Sequence, residues 1–132
     1  MANIRIEPQL AVLLDNRPGV LARTCQALAK AKINLRALSV IDTIDHAIVR
    51  MVVDRPADAE QVLTKLPATV HRRDVVFIDV PNEVGALATI AERLAEAGIN
   101  IEYAYCTVSP SQPGGALVLR TSDLEATINA LS

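Results

Sequence analysis

The chain has 132 residues, and its 13 Lys and Arg against 15 Asp and Glu give a net charge of −2. This charge provides no attraction to nucleic acid or to an anionic membrane surface. No apolar run reaches the ~20 residues that span a bilayer, and the first residues do not resemble a signal peptide. We therefore expect a cytoplasmic protein in which Cys25 and Cys106 are reduced and serve as inert packing residues.

The first half of the chain predicts two helices and five extended segments. Residues 2–7 alternate in polarity like a short strand, Pro8 interrupts it, and residues 9–14 read as a buried strand. The remaining predicted elements of this half are a helix at 18–31, strands at 33–43 and 47–53, a helix at 57–66, and extended chain at 69–80 with a polar break at 72–74.

Residues 15–21, Asp-Asn-Arg-Pro-Gly-Val-Leu, join the buried strand to the first helix and are called the first elbow. Asp15 or Asn16 is expected to cap the helix with a side-chain oxygen, and Pro18 suits the first helical position. Gly19 allows another group to approach the backbone closely. A helix start suits an anion such as a carboxylate. An ordinary capped turn between strand and helix would have the same sequence.

The elbow occurs twice. A shift of 66 residues places it on residues 81–87, the second elbow. The matched pairs include Asn16 with Asn82, Gly19 with Gly85, Leu21 with Leu87, Leu28 with Leu94, Ile33 with Ile99 and Asn34 with Asn100. The chain is therefore a tandem repeat, and the fold must contain two units of similar structure.

The second half repeats the order of the first. The predicted elements are a strand ending at Val80, a helix at 84–97 followed by Gly98, a strand at 99–108, a mobile hairpin at 109–115, a strand at 116–121, and a helix at 123–131 capped by Ser122 or Asp123.

Each repeat predicts the order β-α-β-β-α-β, an α+β fold of the ferredoxin-like type with helices on one face of an antiparallel sheet. The chain stops at Ser132, so the second unit is expected to lack a fourth strand of its own. We expect residues 2–7 to complete it, because an unpaired sheet edge is a liability. The predicted domains are residues 1–70 and 71–132.

The two elbows and the segments that follow them resemble ACT domains. In the first repeat the likeness rests on the first elbow and on Ala-Lys-Ile-Asn-Leu at 31–35, and in the second on Glu-Val-Gly-Ala-Leu at 83–87 and Ala-Gly-Ile-Asn-Ile at 97–101. The resemblance implies a regulatory module that senses a small molecule, usually a free amino acid, in amino-acid metabolism. It also implies that such domains pair side by side, here as a homodimer, with the ligand at the seam between two of them.

The resemblance assigns site residues in both repeats. Asn16 and Asn82 match the position that contacts the amino acid, and Asn34 and Asn100 match one that reaches it from the neighbouring domain. A local hydrogen bond at the start of a strand is the alternative role for these last two. The residues implied to hold the carboxylate or line the pocket are Pro18, Gly19, Val20 and Leu21 in the first elbow, and Val84, Gly85, Ala86 and Leu87 in the second. Asp15 offers an acceptor for the ammonium group.

Two departures from the family pattern bear on the ligand. Serine-sensing members have a His two residues before the first Asn, where this chain has Leu14 and Val80, so a more apolar ligand is expected. The second elbow has Pro81 in place of Asp15, and it lacks the Pro before its Gly. The two sites are therefore expected to differ, with the first favoured.

Other constellations give no chemistry. His46 and His71 lack the Cys, His or carboxylate spacing of a metal site, and no nucleophile or acid–base pair stands out. Tyr103 and Tyr105 could line a pocket, bind a partner or pack in the core. We expect a non-catalytic amino-acid sensor without a cofactor. The alternative is a regulatory or interaction subunit of an amino-acid biosynthetic enzyme, with ligand binding secondary.

Overall fold

The computed structural model describes residues 3–107, Ser111 and residues 113–132, and these form six strands and four helices. The elements are β1 (Ile4–Asp15), α1 (Val20–Lys30), β2 (Leu35–Asp42), β3 (His46–Val53), α2 (Pro56–Thr64), β4 (Thr69–Pro81), α3 (Ala86–Glu96), β5 (Ile101–Thr107), β6 (Gly114–Thr121) and α4 (Leu124–Leu131). The predicted α+β class with two ferredoxin-like units is confirmed. Ala2, Val108 and three residues of the predicted hairpin at 109–115 (Ser109, Pro110 and Gln112) lie outside the described residues.

The chain forms two compact units. The first unit contains Pro8–Arg73, with strands in the order β2-β3-β1-β4. The second unit contains Asp74–Ser132 together with the described residues up to Glu7, with strands in the order β1-β4-β6-β5. Both β1 and β4 are thus divided between the units. The domain division at residues 70 and 71 stays a prediction.

The N-terminal part of β1 makes its contacts with the second unit. The carbonyl of Asn3 accepts a hydrogen bond of 3.1 Å from the Asp79 amide. The Arg5 guanidinium lies 4.6 Å from the centre of the Phe77 ring and 3.7 Å from the Asp79 carboxylate. Ile4 packs against the core of the second unit. The described residues of this segment therefore occupy the strand position that we expected residues 2–7 to fill in the second unit.

The predicted interruption of the first strand at Pro8 is wrong. β1 continues through Pro8, and its pairing with β3 begins only at Leu10, opposite Met51. Because Pro8 lies before the first of these pairs, its missing N–H removes no bond to β3. The extended chain predicted at 69–80 is present as β4, and the polar side chains at 72–74 are exposed while the backbone stays extended.

Each unit has an apolar core between its helices and its sheet. The first core consists of buried residues from β1, β3, α1 and α2, among them Leu10, Val12, Leu28, Met51 and Leu63. The second core consists of their counterparts from β4, β6, α3 and α4, among them Val76, Ile78, Leu94, Leu119 and Leu131. Cys25 is half-buried, but Cys106 is exposed on β5. The prediction that Cys106 is a packing residue is therefore wrong, because β5 is the last strand of its sheet.

Gly19 and Gly85 form the N-caps of α1 and α3, which corrects the predicted capping. Their φ angles are +87° and +86°, and neither helix start has a side-chain cap hydrogen bond. The helix α1 therefore begins at Val20, and Pro18 lies before its cap. Neither Asp15 nor Asn16 can cap it, because the chain turns into the helix only at the glycine. The predicted cap of α4 is present, since Asp123 accepts a 3.0 Å bond from the Ala126 amide.

The replacement Ile4→Ala should lower the free energy of unfolding by about 1–2 kcal/mol, because Ile4 is partly buried against the second core. The matched control Ile6→Ala alters the same strand at a side chain that is 37% exposed, and we expect a loss of about 0.5 kcal/mol. Urea denaturation measures both. Equal losses would contradict the packing described for Ile4.

The replacement Gly19→Ala should cost about 1–2 kcal/mol, because a side chain disfavours the left-handed backbone that this cap adopts. Gly19→Asn is the matched control. It introduces a Cβ at the same place, 3.2 Å from Arg23 Nη1, but Asn tolerates the left-handed region better than Ala. A smaller loss for Asn than for Ala in urea denaturation supports the backbone origin, and the reverse order would contradict it.

Candidate functional site

The first elbow is fastened to the turn between β2 and β3. The backbone N–H of Asn16 donates a hydrogen bond to the backbone carbonyl of Asp45 at 2.9 Å. The Asn16 side chain donates from Nδ2 to Asp42 Oδ1 and to Ile44 O, both at 2.9 Å. Both side-chain donors are thus engaged within the chain, which leaves the amide oxygen as the group with which Asn16 could accept from a ligand.

A cavity of about 150 Å³ lies beside the first elbow and is called the first cavity. Its lining residues are Leu14, Asp15, Arg17, Val20, Arg23, Thr24, Leu66 and Pro67. Arg17 Nη2 donates to Asp15 Oδ2 at 3.3 Å. The Arg23 guanidinium lies against Gly19, with Nη1 3.2 Å from the place that a Cβ on this glycine would occupy. The cavity therefore combines both signs of charge with apolar walls at the start of α1.

Of the predicted residues of the first elbow, the structure places Asp15 and Val20 in the lining of this cavity. Asn16, Pro18, Gly19 and Leu21 belong to the same turn, but they do not line it. All four are exposed.

Asn34 lies beyond the other end of α1. Its backbone amide donates to Asp54 Oδ1 at 3.0 Å, and its carbonyl accepts from the Asp54 amide at 3.2 Å. The helix α1 has 11 residues, so its two ends are about 16 Å apart. Asn16 and Asn34 of the same unit therefore cannot contact one small ligand. In the second unit the Asn100 carbonyl similarly accepts from the Ser122 amide at 3.4 Å.

The second elbow has its own cavity, of about 170 Å³, called the second cavity. It is lined by Pro81, Glu83, Ala86, Thr89 and Ile90. In the 66-residue repeat these positions correspond to Asp15, Arg17, Val20, Arg23 and Thr24, all of which line the first cavity. The repeat therefore preserves the place of the cavity and changes its charge, because two arginines become Glu83 and Thr89.

The other predicted residues of the second elbow lie around this cavity. Gly85 has no atom within 4 Å of the place that a Cβ would occupy. Val84 is fully exposed and Leu87 is about half exposed. The backbone amide of Asn82 donates to Pro113 O at 3.0 Å. Ala86 is the member of this predicted set that lines the second cavity.

Arg23 and the wall residues Leu66 and Pro67 were absent from the sequence-based site. A signal for Arg23 was available, because a residue four positions after a helix cap lies one turn above it on the same face. Leu66 and Pro67 follow α2, and no local pattern connects them with the first elbow. Their contribution depends on the packing of α2 beside α1.

Among the residues that the structure describes, no group of three or more His, Cys, Asp or Glu side chains could hold a metal ion. In the same residues, no helix has the length and apolar character needed to cross a membrane.

Comparison with known proteins identifies the family of this chain. Residues 5–131 match the family model described as an ACT domain pair. Protein BT0572 from Bacteroides thetaiotaomicron is 34% identical to this chain, with a TM-score of 0.89 over 98% of this chain and 89% of that one. A search of curated proteins finds no match.

Two more distant structures share the fold. The regulatory subunit of aspartate kinase from Thermus thermophilus has 18% identity and a TM-score of 0.70 over 98% of this chain and 95% of that one. The corresponding subunit from Thermus flavus has 20% identity and a TM-score of 0.64 over 98% and 93%. The family model and the repeated elbows agree, and the chain belongs to the ACT domain pair family.

Proposed function

We propose that this ACT domain pair is a non-catalytic regulatory protein that binds a free amino acid at its first elbow. The observation that carries the proposal is the first cavity, where Asp15, Arg17 and Arg23 meet apolar residues at the start of a helix. An amino acid needs donors for its carboxylate, an acceptor for its ammonium group and a surface for its side chain. The residues around this cavity can supply all three.

The resemblance to ACT domains supports further roles, which belong to the same proposal. Asn16 would meet the ligand through its amide oxygen, and Asn34 would act on a ligand held by a neighbouring domain. The corresponding roles of Asn82 and Asn100 depend on whether the second elbow binds anything. A sensor of free amino acids would work in the cytoplasm, where we place the protein.

Titration of the full chain with each of the twenty amino acids tests the proposal. At a ligand concentration 100 times the Kd, binding adds about 2.7 kcal/mol to the free energy of unfolding. In a chain of this size this raises the melting temperature by roughly 5–15 °C. Thermal unfolding at millimolar ligand, followed by calorimetry, should identify at least one binder. A melting temperature unchanged by all twenty would contradict amino-acid binding.

A homodimer is proposed from the edge strand β2, which ends the strand order of the first unit. Its side chains Leu38, Val40 and Ile41 are all exposed. An exposed apolar edge strand favours pairing with another chain, and a second copy presents the same strand.

The replacement Val40→Glu should convert this homodimer to monomers, because it places a charge on the proposed seam at a side chain that is 47% exposed. Ala104→Glu is the matched control, at an exposed position of β5, the edge strand of the second unit. Sedimentation equilibrium measures both. A monomeric parent protein, or a Val40→Glu variant that remains dimeric, would contradict pairing along β2.

The alternative is that the chain regulates an enzyme of amino-acid biosynthesis by binding to it. The names of the Thermus relatives, regulatory subunits of aspartate kinase, favour this second reading. Affinity purification of the full chain from its own cells would then recover an enzyme in stoichiometric amount. Recovery of such a partner together with silent amino-acid titrations would favour the alternative over the sensor.

A further inference from the structure

We propose that the first cavity selects a neutral amino acid with an aliphatic side chain, whose carboxylate is bound by Arg23 and whose ammonium group is bound by Asp15. The inference rests on the proposed function, because it names the class and the orientation of the ligand at that same site. It also predicts one bound ligand per chain.

The carboxylate end of the cavity is defined by Arg23 and the start of α1. Arg23 belongs to the first turns of this helix, and its guanidinium lies beside the N-cap Gly19. The guanidinium carries a full positive charge and can form two parallel hydrogen bonds to a carboxylate. The helix N-terminus adds a partial positive charge at the same place. Two independent groups therefore favour the negative end of the ligand here.

The ammonium end is defined by Asp15 and by the chain after α2. Asp15 carries the negative charge of the lining, and its Oδ2 already accepts from Arg17. This ion pair orients the carboxylate at the rim. Leu66 and Pro67, which also line the cavity, follow the C-terminal end of α2, where the helix dipole places a partial negative charge. The cavity thus lies between helix ends of opposite polarity, which suits a zwitterion.

The inner wall accepts an aliphatic side chain. Leu14 is buried, and Val20 and Leu66 pack against the first core. The buried Thr24 hydroxyl donates to Val20 O at 2.9 Å, so its hydrogen is engaged within the helix. About 150 Å³ corresponds to roughly five water molecules at about 30 Å³ each, which suits a small to medium side chain. A second positive charge on the ligand would be repelled by Arg17 and Arg23.

The second cavity lacks this arrangement. Thr89 stands at the position of Arg23, Glu83 at that of Arg17, and Pro81 at that of Asp15. The charge in its lining is therefore negative, which repels a carboxylate and leaves no guanidinium to bind it. One ligand per chain follows from this difference.

Calorimetric titration of the full chain with alanine, valine, leucine and lysine tests the inference. We expect valine or leucine to bind best, lysine not to bind, and the stoichiometry to be one per chain. Arg23→Ala should weaken binding at least tenfold, since it removes a charged hydrogen-bond donor. Arg23→Lys should recover part of the affinity, because it keeps the charge but loses the paired donors.

Arg93→Ala is the matched control, an exposed arginine on α3 that lines neither cavity, and it should bind like the parent protein. The melting temperature without ligand shows that each variant is folded. Asp15→Asn should also weaken binding, since it removes the charge that faces the ammonium group.

The outcomes separate this inference from the proposed function. If none of the twenty amino acids binds the parent protein, the proposed function fails. If an aliphatic amino acid binds but Arg23→Ala leaves its Kd unchanged, the orientation is wrong and amino-acid sensing stands. Preference for lysine overturns the ligand class, and two ligands per chain overturn the assignment of the second cavity.

Discussion

The positive φ angle of Gly19 and Gly85 is the constraint on which the rest of the structure depends. At these two residues the chain leaves a strand and enters a helix, and the left-handed backbone makes this change of direction possible without a side-chain cap. The direction in which α1 and α3 leave the sheet determines which face covers the core. It also determines that the first turn of each helix faces the cavity beside its elbow.

The repeated elbow has kept its backbone while its side chains have diverged. The same cap geometry recurs after 66 residues, and a cavity accompanies it each time. The lining residues differ in charge at three of five matched positions: Asp15 and Pro81, Arg17 and Glu83, Arg23 and Thr89. A duplicated scaffold can therefore carry two sites of different chemistry, because exposed side chains beside an elbow are not needed for the fold.

Periodicity and repetition predicted most of the fold. The order of the elements, the α+β class and the cap at Asp123 followed from local patterns whose physical cause is local. One error arose where strand pairing tolerates a proline, and another where the geometry of a turn differs from the expected cap. The strand β1 continues through Pro8 because its pairing with β3 begins only at Leu10. The helix α1 is capped by Gly19 and not by Asp15 or Asn16, because the chain turns into the helix only at Gly19.

The candidate site was predictable only where it is contiguous in sequence. Asp15 and Val20 belong to the elbow itself and line the first cavity. Leu66 and Pro67 reach it only through the packing of α2, which no spacing in the chain reveals. Asn34 illustrates the opposite case. It matches a ligand-binding position in the family pattern, but the sequence does not show that the length of α1 separates it from Asn16 in the same unit.

The division of β1 between Glu7 and Pro8, and of β4 between Arg73 and Asp74, has a consequence for how such a protein can evolve. The segment that was copied in the gene and the segment that folds as a compact body are different stretches of chain. Each body takes residues from both copies, so separating the two copies would leave each body without the strand residues that the other copy supplies. One copy by itself would therefore lack part of either compact body.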